Sequence, residues 1–222
     1  MTDLSRDNLY LVIDLQYFAC VNYINNLFKN THVEIFASGS YKKMSFRNRC
    51  IVAGSNGLVG LSVPLENGRD QKALFKDVRI SYRDAWQTQH WRTLTSCYNK
   101  SAFFEHYRDG VEQFFLKKEP FLFDLNLQIL AWLKTVLKFP AEIQVLDGPV
   151  EVDLQENVTD LRDKWLPKNF QDDFSTGGES PTPLKYFQVF ESRIGFQPNL
   201  SILDLLFNEG PNAATLLRAH LL

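Results

Sequence analysis

The chain has 222 residues, 45% of them hydrophobic and 14% aromatic, with a formal net charge of −2. That is enough apolar material for one sizeable core, and the near-neutral balance excludes a global field that would gather nucleic acid or an anionic membrane. The three cysteines, Cys20, Cys50 and Cys97, sit in apolar contexts and read as reduced core residues of a cytoplasmic protein, with no metal site.

Asp3, Arg6 and Asp7 precede only a short apolar run, so no signal peptide is expected. That run, Leu9–Leu15 (LYLVIDL), is rich in β-formers and reads as a buried strand. Val21, Ile24, Leu27 and Phe28 then recur at helical spacing, with Asn30 as a stop, and HVEIFA (32–37) is a second strand. Strand–helix–strand is the opening unit of a parallel sheet. Arg49–Gly54 and Leu58–Val63 flank an Asn-Gly pair that accepts the positive φ of a tight hairpin, and Pro64 ends the second arm.

From Asp84 the chain turns helical. Asp84 is the expected cap of a helix carrying Trp86, His90, Leu94 and Cys97 on one stripe. Ser101 is expected to start a second helix, with Phe104, Tyr107, Val111, Phe114 and Phe115 as its apolar face, and 123–139 is a third, stopped by Pro140. EIQVL (142–146) returns as a strand. Gln155–Pro183 is polar and glycine-bearing, and reads as a mobile loop or lid, while YFQVF (186–190) reads as a last strand. The tail from Leu200 holds two helical segments broken at Gly210–Pro211, the first too apolar to be solvated. No stretch approaches the roughly 20 apolar residues that span a bilayer. The expected class is α/β: a single domain over 1–222, a mixed sheet, a β-hairpin, and a helical bundle over 84–139.

Two clusters invite chemistry. The first is Lys43, Arg47, Asn48 and Arg49. On a strand Arg47 and Arg49 would share one face and Asn48 the other, so two guanidinium forks would line a pocket for phosphate or carboxylate. The plainer reading is an edge strand blunted by cations. The second cluster runs from Trp86 to Lys100. His90 lies one helical turn after Trp86, where an indole would partly desolvate a side chain suited to moving protons near neutral pH. Tyr98 and Lys100 close that helix. The plainer reading is a core histidine and a C-terminal cation. There is no phosphate-binding glycine loop, no nucleophile elbow, and no metal-ligand spacing.

These clusters, in this order, resemble the WbqC-like family of bacteria, in its Bacteroidetes-type members. A Y-x-K-x-[ST]-[WFY]-R-N-R stretch is matched by Tyr41, Lys43, Ser45, Phe46, Arg47, Asn48 and Arg49, and the hairpin and SVP that follow by Asn56, Gly57, Ser62, Val63 and Pro64. A D-V…W…H-W…Y-x-K-[SA] pattern is matched by Asp77, Val78, Trp86, His90, Trp91, Tyr98, Lys100 and Ser101. Leu122, Asp124, Leu125 and Asn126 match L-x-D-L-N, and the tail from Tyr186 to Pro211 resembles the family's ending. Two places depart from the pattern. The usual Q-P-x-Y-[FL]-P slots hold Asp14, Leu15, Gln16, Tyr17, Phe18 and Ala19, and Phe36–Ser40 lacks the usual acid and amide.

The resemblance implies an acyl or aminoacyl (glycine) transferase acting on a nucleotide-linked or lipid-linked amino sugar in surface-polysaccharide (O-antigen) biosynthesis, without a cofactor and without a nucleic-acid partner. His90, stacked on Trp86, would take the proton from the attacking amine, with Tyr98 and Lys100 steadying the oxyanion. Lys43, Arg47 and Arg49 would hold the diphosphate or carboxylate. Asn48, Asn126 and Asn199 would read sugar hydroxyls, and Asp204 would pair with an arginine of the site. The departures leave open a non-catalytic sugar- or anion-binding accessory protein.

Overall fold

The computed structural model describes residues 10–66, 73–147, 158–164, 166–168, 170 and 183–220. The opening unit forms as the pattern predicts: β1 (Tyr10–Ile13), α1 (Val21–Lys29) and β2 (His32–Phe36), the two strands parallel. Leu11, Val12 and Ile13 are almost fully buried, as befits an interior strand covered on both faces. β5 (Glu142–Leu146) pairs with β2 and β6 (Val158–Asp160) with β1, giving a four-stranded parallel sheet in the order β5-β2-β1-β6. The hairpin, β3 (Arg49–Gly54) and β4 (Gly57–Ser62), stands as its own two-stranded sheet, turned by Gly57 at φ 130°.

The helical part comprises α2 (Trp86–Tyr98), α3 (Phe104–Leu116) and α4 (Leu122–Leu137). The apolar stripe of α3 is the predicted one, while on α2 Tyr98 rather than the half-buried Cys97 completes the buried face, and neither helix is capped as expected. Ala85 and Phe103 occupy the capping positions with no side-chain hydrogen bond. Ser101 instead closes a turn on the preceding helix, its N–H donating to the Tyr98 carbonyl at 2.8 Å. α4 ends where Lys138 takes a left-handed φ of 54°, two residues before Pro140.

The tail ties the chain's two ends together. α1 begins without a side-chain cap of its own, and its first N–H groups are satisfied by the residues just before α6 (Ile202–Glu209). Val21 N–H donates to the Leu200 carbonyl at 2.9 Å and Asn22 N–H to Asn199 Oδ1 at 2.7 Å. Ser201 N–H reaches the Ile51 carbonyl at 2.8 Å, and its hydroxyl the Phe18 carbonyl at 2.8 Å. α6 is therefore the packed helix its apolarity demands, with Leu205 and Phe207 wholly buried. The short α5 (Glu191–Ile194) precedes it, and α7 (Asn212–Ala219) follows.

Two readings change. Tyr186–Phe190 is not a strand: the Gln188 side chain pairs with both the N–H and the carbonyl of Gln197, each at 2.8 Å, and does locally what a neighbouring strand would do. Within Gln155–Pro183, Val158–Asp160 is the strand β6, too short and polar to show a period of two. Much of the rest of that stretch, and with it the expectation of a lid, lies outside the described residues.

Gly210 breaks α6 from α7 at φ 57°, and a Cβ there would lie 2.4 Å from the Phe103 ring. Replacing Gly210 by Ala is expected to cost about 2–4 kcal/mol, through left-handed strain and ring displacement together. A denaturant titration of the variant checks this.

Candidate functional site at the carboxyl ends of β1 and β6

The chain leaves β1 for β2 on one side, while β6 lies on β1's other side. In parallel α/β sheets, the carboxyl ends of strands at such a reversal are where ligands sit. Here they deliver Asp14 and Gln16 from β1, and Asp163 from β6.

Between them lies Arg47, 5% exposed. Its Nη2 donates to Asp163 Oδ1 at 2.9 Å and its Nη1 to the Ser40 carbonyl at 3.1 Å. Its Nε is 3.6 Å from Asp14 Oδ2, an ion pair without hydrogen-bond geometry. The guanidinium carbon sits 5.1 Å over the Phe75 ring. Asp14 Oδ1 also accepts Asp163 N–H at 2.8 Å, and Lys42 lies 3.5 Å from the Asp163 carboxylate. Burial pushes the Asp14 carboxyl up, with the nearby Arg47 charge opposing it.

Arg47 does not reach this position by strand alternation. Phe46–Asn48 is a single 3₁₀ turn, with Ser45 Oγ accepting Arg47 N–H and donating to the Lys42 carbonyl. β3 starts only at Arg49. Both guanidinium groups nevertheless act on the half-buried Tyr41 phenol: burial raises its pKa, and the charges of Arg49 and then Arg47 pull it back. Arg49 is half-buried, and its Nε has no hydrogen-bond partner among the described residues. Lys43 is exposed.

The asparagines hold the turn. Asn48 Nδ2 donates to the Val63 carbonyl at 2.9 Å, and Asn126 Nδ2, on α4, to the Arg47 carbonyl at 2.7 Å. Asn48 Oδ1, Asn126 Oδ1 and Gln16 Oε1 are buried acceptors with no donor among the described residues. Asn199 is elsewhere: at φ 54° it caps α1 and donates to the Phe170 carbonyl.

His90 is 6% exposed. Tyr17 leaves the end of β1 with its N–H on the Phe46 carbonyl, and its hydroxyl lies 3.0 Å from His90 Nδ1. The Trp86 ring meets the imidazole edge-on rather than stacked, centroids 5.1 Å apart. Desolvation lowers the His90 pKa to about 4, with a hydrogen bond to the Ser62 backbone opposing it. With that carbonyl taking the ring's N–H, Nδ1 accepts from Tyr17, and His90 is neutral near pH 7. Tyr17 thus joins His90 to the Phe46–Asn48 turn.

Tyr98 and Lys100 do not join them. Tyr98 is two helical turns on, roughly 12 Å along the axis. Its hydroxyl donates to Asp204 Oδ1 at 2.7 Å and accepts Ala53 N–H at 3.1 Å. Tyr186 donates to the other Asp204 oxygen at 2.8 Å. Among the described residues Asp204 therefore pairs with two tyrosines and not with an arginine, in a buried cluster where desolvation raises its pKa to about 6. Lys100 is exposed at the end of α2.

Sequence reading assigned no role to Asp14, Gln16, Tyr17, Tyr41 or Asp163. Asp14 carried a usable signal, a carboxylate directly after the apolar run of an interior strand. Asp163 carried none, because β6 itself was illegible. Among the described residues no group of three or more His, Cys, Asp or Glu is placed to hold a metal ion, and no helix is long and apolar enough to cross a membrane.

This geometry is built almost wholly from residues 14–163, and the WbqC-like protein family matches residues 16–164. The chain belongs to that family. It is also similar to the uncharacterized protein Rv1507c of Mycobacterium tuberculosis (strain ATCC 25618 / H37Rv), 25% identical over 205 residues that cover 83% of this chain and 86% of that protein. No solved structure matches the chain.

His90 and Asp204 set opposite pH dependences. The folded state holds His90 at about 4, below its ordinary 6.5, so its contribution is present above pH 6.5 and is lost as pH falls toward 4. Asp204 is held at about 6, above its ordinary 3.8, so its contribution is present below pH 3.8 and is lost as pH rises through 6. Each amounts to about 3 kcal/mol across its window. The stability of the wild type relative to His90→Gln should therefore fall between pH 6.5 and 4. Relative to Asp204→Asn it should rise between pH 6 and 4. Urea titrations at several pH values measure both slopes.

Proposed function

We propose that this protein is a cytoplasmic group-transfer enzyme that binds a phosphorylated or nucleotide-linked amino sugar at the carboxyl ends of β1 and β6, and transfers an acyl or aminoacyl group to its amine. The observation that carries the reading is the pair Arg47 and Arg49 beside the Tyr41 phenol, with Arg49 half-buried and its Nε unpartnered among the described residues. A buried donor without an acceptor costs about 1–3 kcal/mol, and an anionic ligand would relieve it. Arg47, already engaged by Asp14, Asp163 and Ser40, positions the site and lends it field. Arg49 meets the anion, with Lys43 at the rim. The buried amide oxygens of Gln16, Asn48 and Asn126, which have no donor among the described residues, are the candidate acceptors for sugar hydroxyls in this reading. The transfer chemistry and the polysaccharide setting rest on the family resemblance.

A second reading, a non-catalytic sugar- or anion-binding accessory protein with the same site, is favoured by one observation. Two of the groups expected to act in the transfer are occupied: His90, the expected base, by Tyr17 and the Ser62 backbone, and Tyr98, expected at the oxyanion, by Asp204. Calorimetric titration with a uridine-diphosphate amino sugar, followed by mass spectrometry after adding acyl-thioester or aminoacyl donors, separates the two. Acylated sugar supports the enzyme, and binding without product supports the accessory protein.

Arg49→Gln should weaken binding of the nucleotide sugar about tenfold or more while leaving the melting temperature nearly unchanged. Arg47→Gln should instead lower stability by about 3–5 kcal/mol, because Asp14 would be left buried without its cation. Undiminished binding in the folded Arg49→Gln protein would remove the site from consideration.

A further inference from the structure

α3, α4 and α7 leave a cavity of about 350 Å³ between them. It lies away from the site above: Val136 and Leu137, on its wall, are about 15 Å along α4 from Asn126. The volume is at the small end of the roughly 300–1,000 Å³ typical of small-molecule sites. Val136, Leu137 and Ala214 give it an apolar floor. The exposed residues His106, Lys138, Thr215 and Arg218 also line it, and among the described residues no aspartate or glutamate does.

Arg218 is placed before any ligand arrives. Its guanidinium lies 5.4 Å over the Phe28 ring, and Nη2 donates to the Lys138 carbonyl at 3.4 Å. The acid beside His106 on α3, Glu105, is engaged by Arg108 at 3.6 Å. The carboxyl end of α4 and the amino end of α7 both border the cavity. Their dipole ends, about half a charge each and opposite in sign, offset one another. The lining side chains therefore carry the local charge: the two formal cations, Lys138 and Arg218, with no acid among the described lining residues.

We propose that this cavity binds a small phosphorylated molecule with a compact apolar body. A planar guanidinium fork, an ammonium, an imidazole and a hydroxyl offer donors in several directions, which suits the three oxygens of a phosphoryl dianion better than the two of a carboxylate. The aliphatic floor accounts for the apolar body. The inference does not depend on the transferase reading.

The test titrates the full chain, followed by calorimetry and amide NMR shifts, with phenyl phosphate, inorganic phosphate and benzoate in parallel. Phenyl phosphate should bind at about 1 mM or tighter, and each of the other two more weakly. Lys138→Glu should weaken it at least about fivefold, as should the milder Lys138→Gln if the reversal impairs folding. Arg49→Gln should leave it unchanged. No saturable binding up to about 10 mM overturns the proposal. So does benzoate or inorganic phosphate binding as tightly as phenyl phosphate, or affinity that is lost in Arg49→Gln and kept in the Lys138 variants.

Discussion

One buried guanidinium organises the sheet's carboxyl end. Arg47 joins three segments distant from it in sequence, the loop after β1 through Asp14, the Phe75 turn and the loop after β6 through Asp163, to the nearby stretch before Tyr41 through Ser40. β6 is only three residues long, so its ladder with β1 is a weak attachment by itself. The Asp14–Arg47–Asp163 contacts and the Asp163 N–H on Asp14 reinforce it with charge-assisted bonds. Burying these charges is expensive, and the arrangement holds because each charge finds an opposite one.

The two buried polar regions differ in how completely they are satisfied. Around Asp204 each carboxylate oxygen has a tyrosine donor, and the Tyr98 oxygen also accepts a backbone N–H. That closed network is what a structural polar core requires. Around the Phe46–Asn48 turn, the amide nitrogens are spent on backbone carbonyls while the amide oxygens, and the Nε of Arg49, have no counterpart among the described residues. Native interiors rarely leave so many groups unmatched within one neighbourhood. The contrast holds for the Asp204 carboxylate itself: Trp86 Nε1 and Thr95 Oγ1 on α2, and Asn208 Oδ1 beside Asp204, are also buried without a partner among the described residues.

What could be read from the sequence was what has a period. β1, α1 and β2, the hairpin, and the three apolar stripes of α2–α4 announce themselves by spacing and by the Asn-Gly turn. β6 does not, because three residues with Thr159 and Asp160 among them cannot display alternation, and its partner lies about 150 residues away. Tyr186–Phe190 misled for the opposite reason: it is rich in β-forming aromatic and branched residues, but a glutamine side chain takes the place of a neighbouring strand. The anion site was legible by composition and not by geometry. Two arginines around one asparagine implied a shared strand face, whereas the Ser45-capped turn sends Arg47 inward and leaves Arg49 on the strand. His90 was expected to be partly exposed. Tyr17, 73 residues earlier in the chain, closes over it, and no local pattern announces that contact.

The knot between residues 199–202 and the start of α1 bears on how the chain is made. α1 has its opening amides satisfied by carbonyl and side-chain oxygens that leave the ribosome some 180 residues later. β1, likewise, gains its second neighbour only after β6 appears. At a typical elongation rate of about 5–20 residues per second, the amino-terminal third waits on the order of ten seconds or more with an unfinished strand edge and an uncapped helix. Local pairing in the hairpin and in α2–α4 can proceed meanwhile, but the parallel sheet is a late event that must close large loops. A molecule stitched together this late passes through a long interval in which β1 has no permanent cover on one edge, and an open strand edge is a template for pairing with other chains.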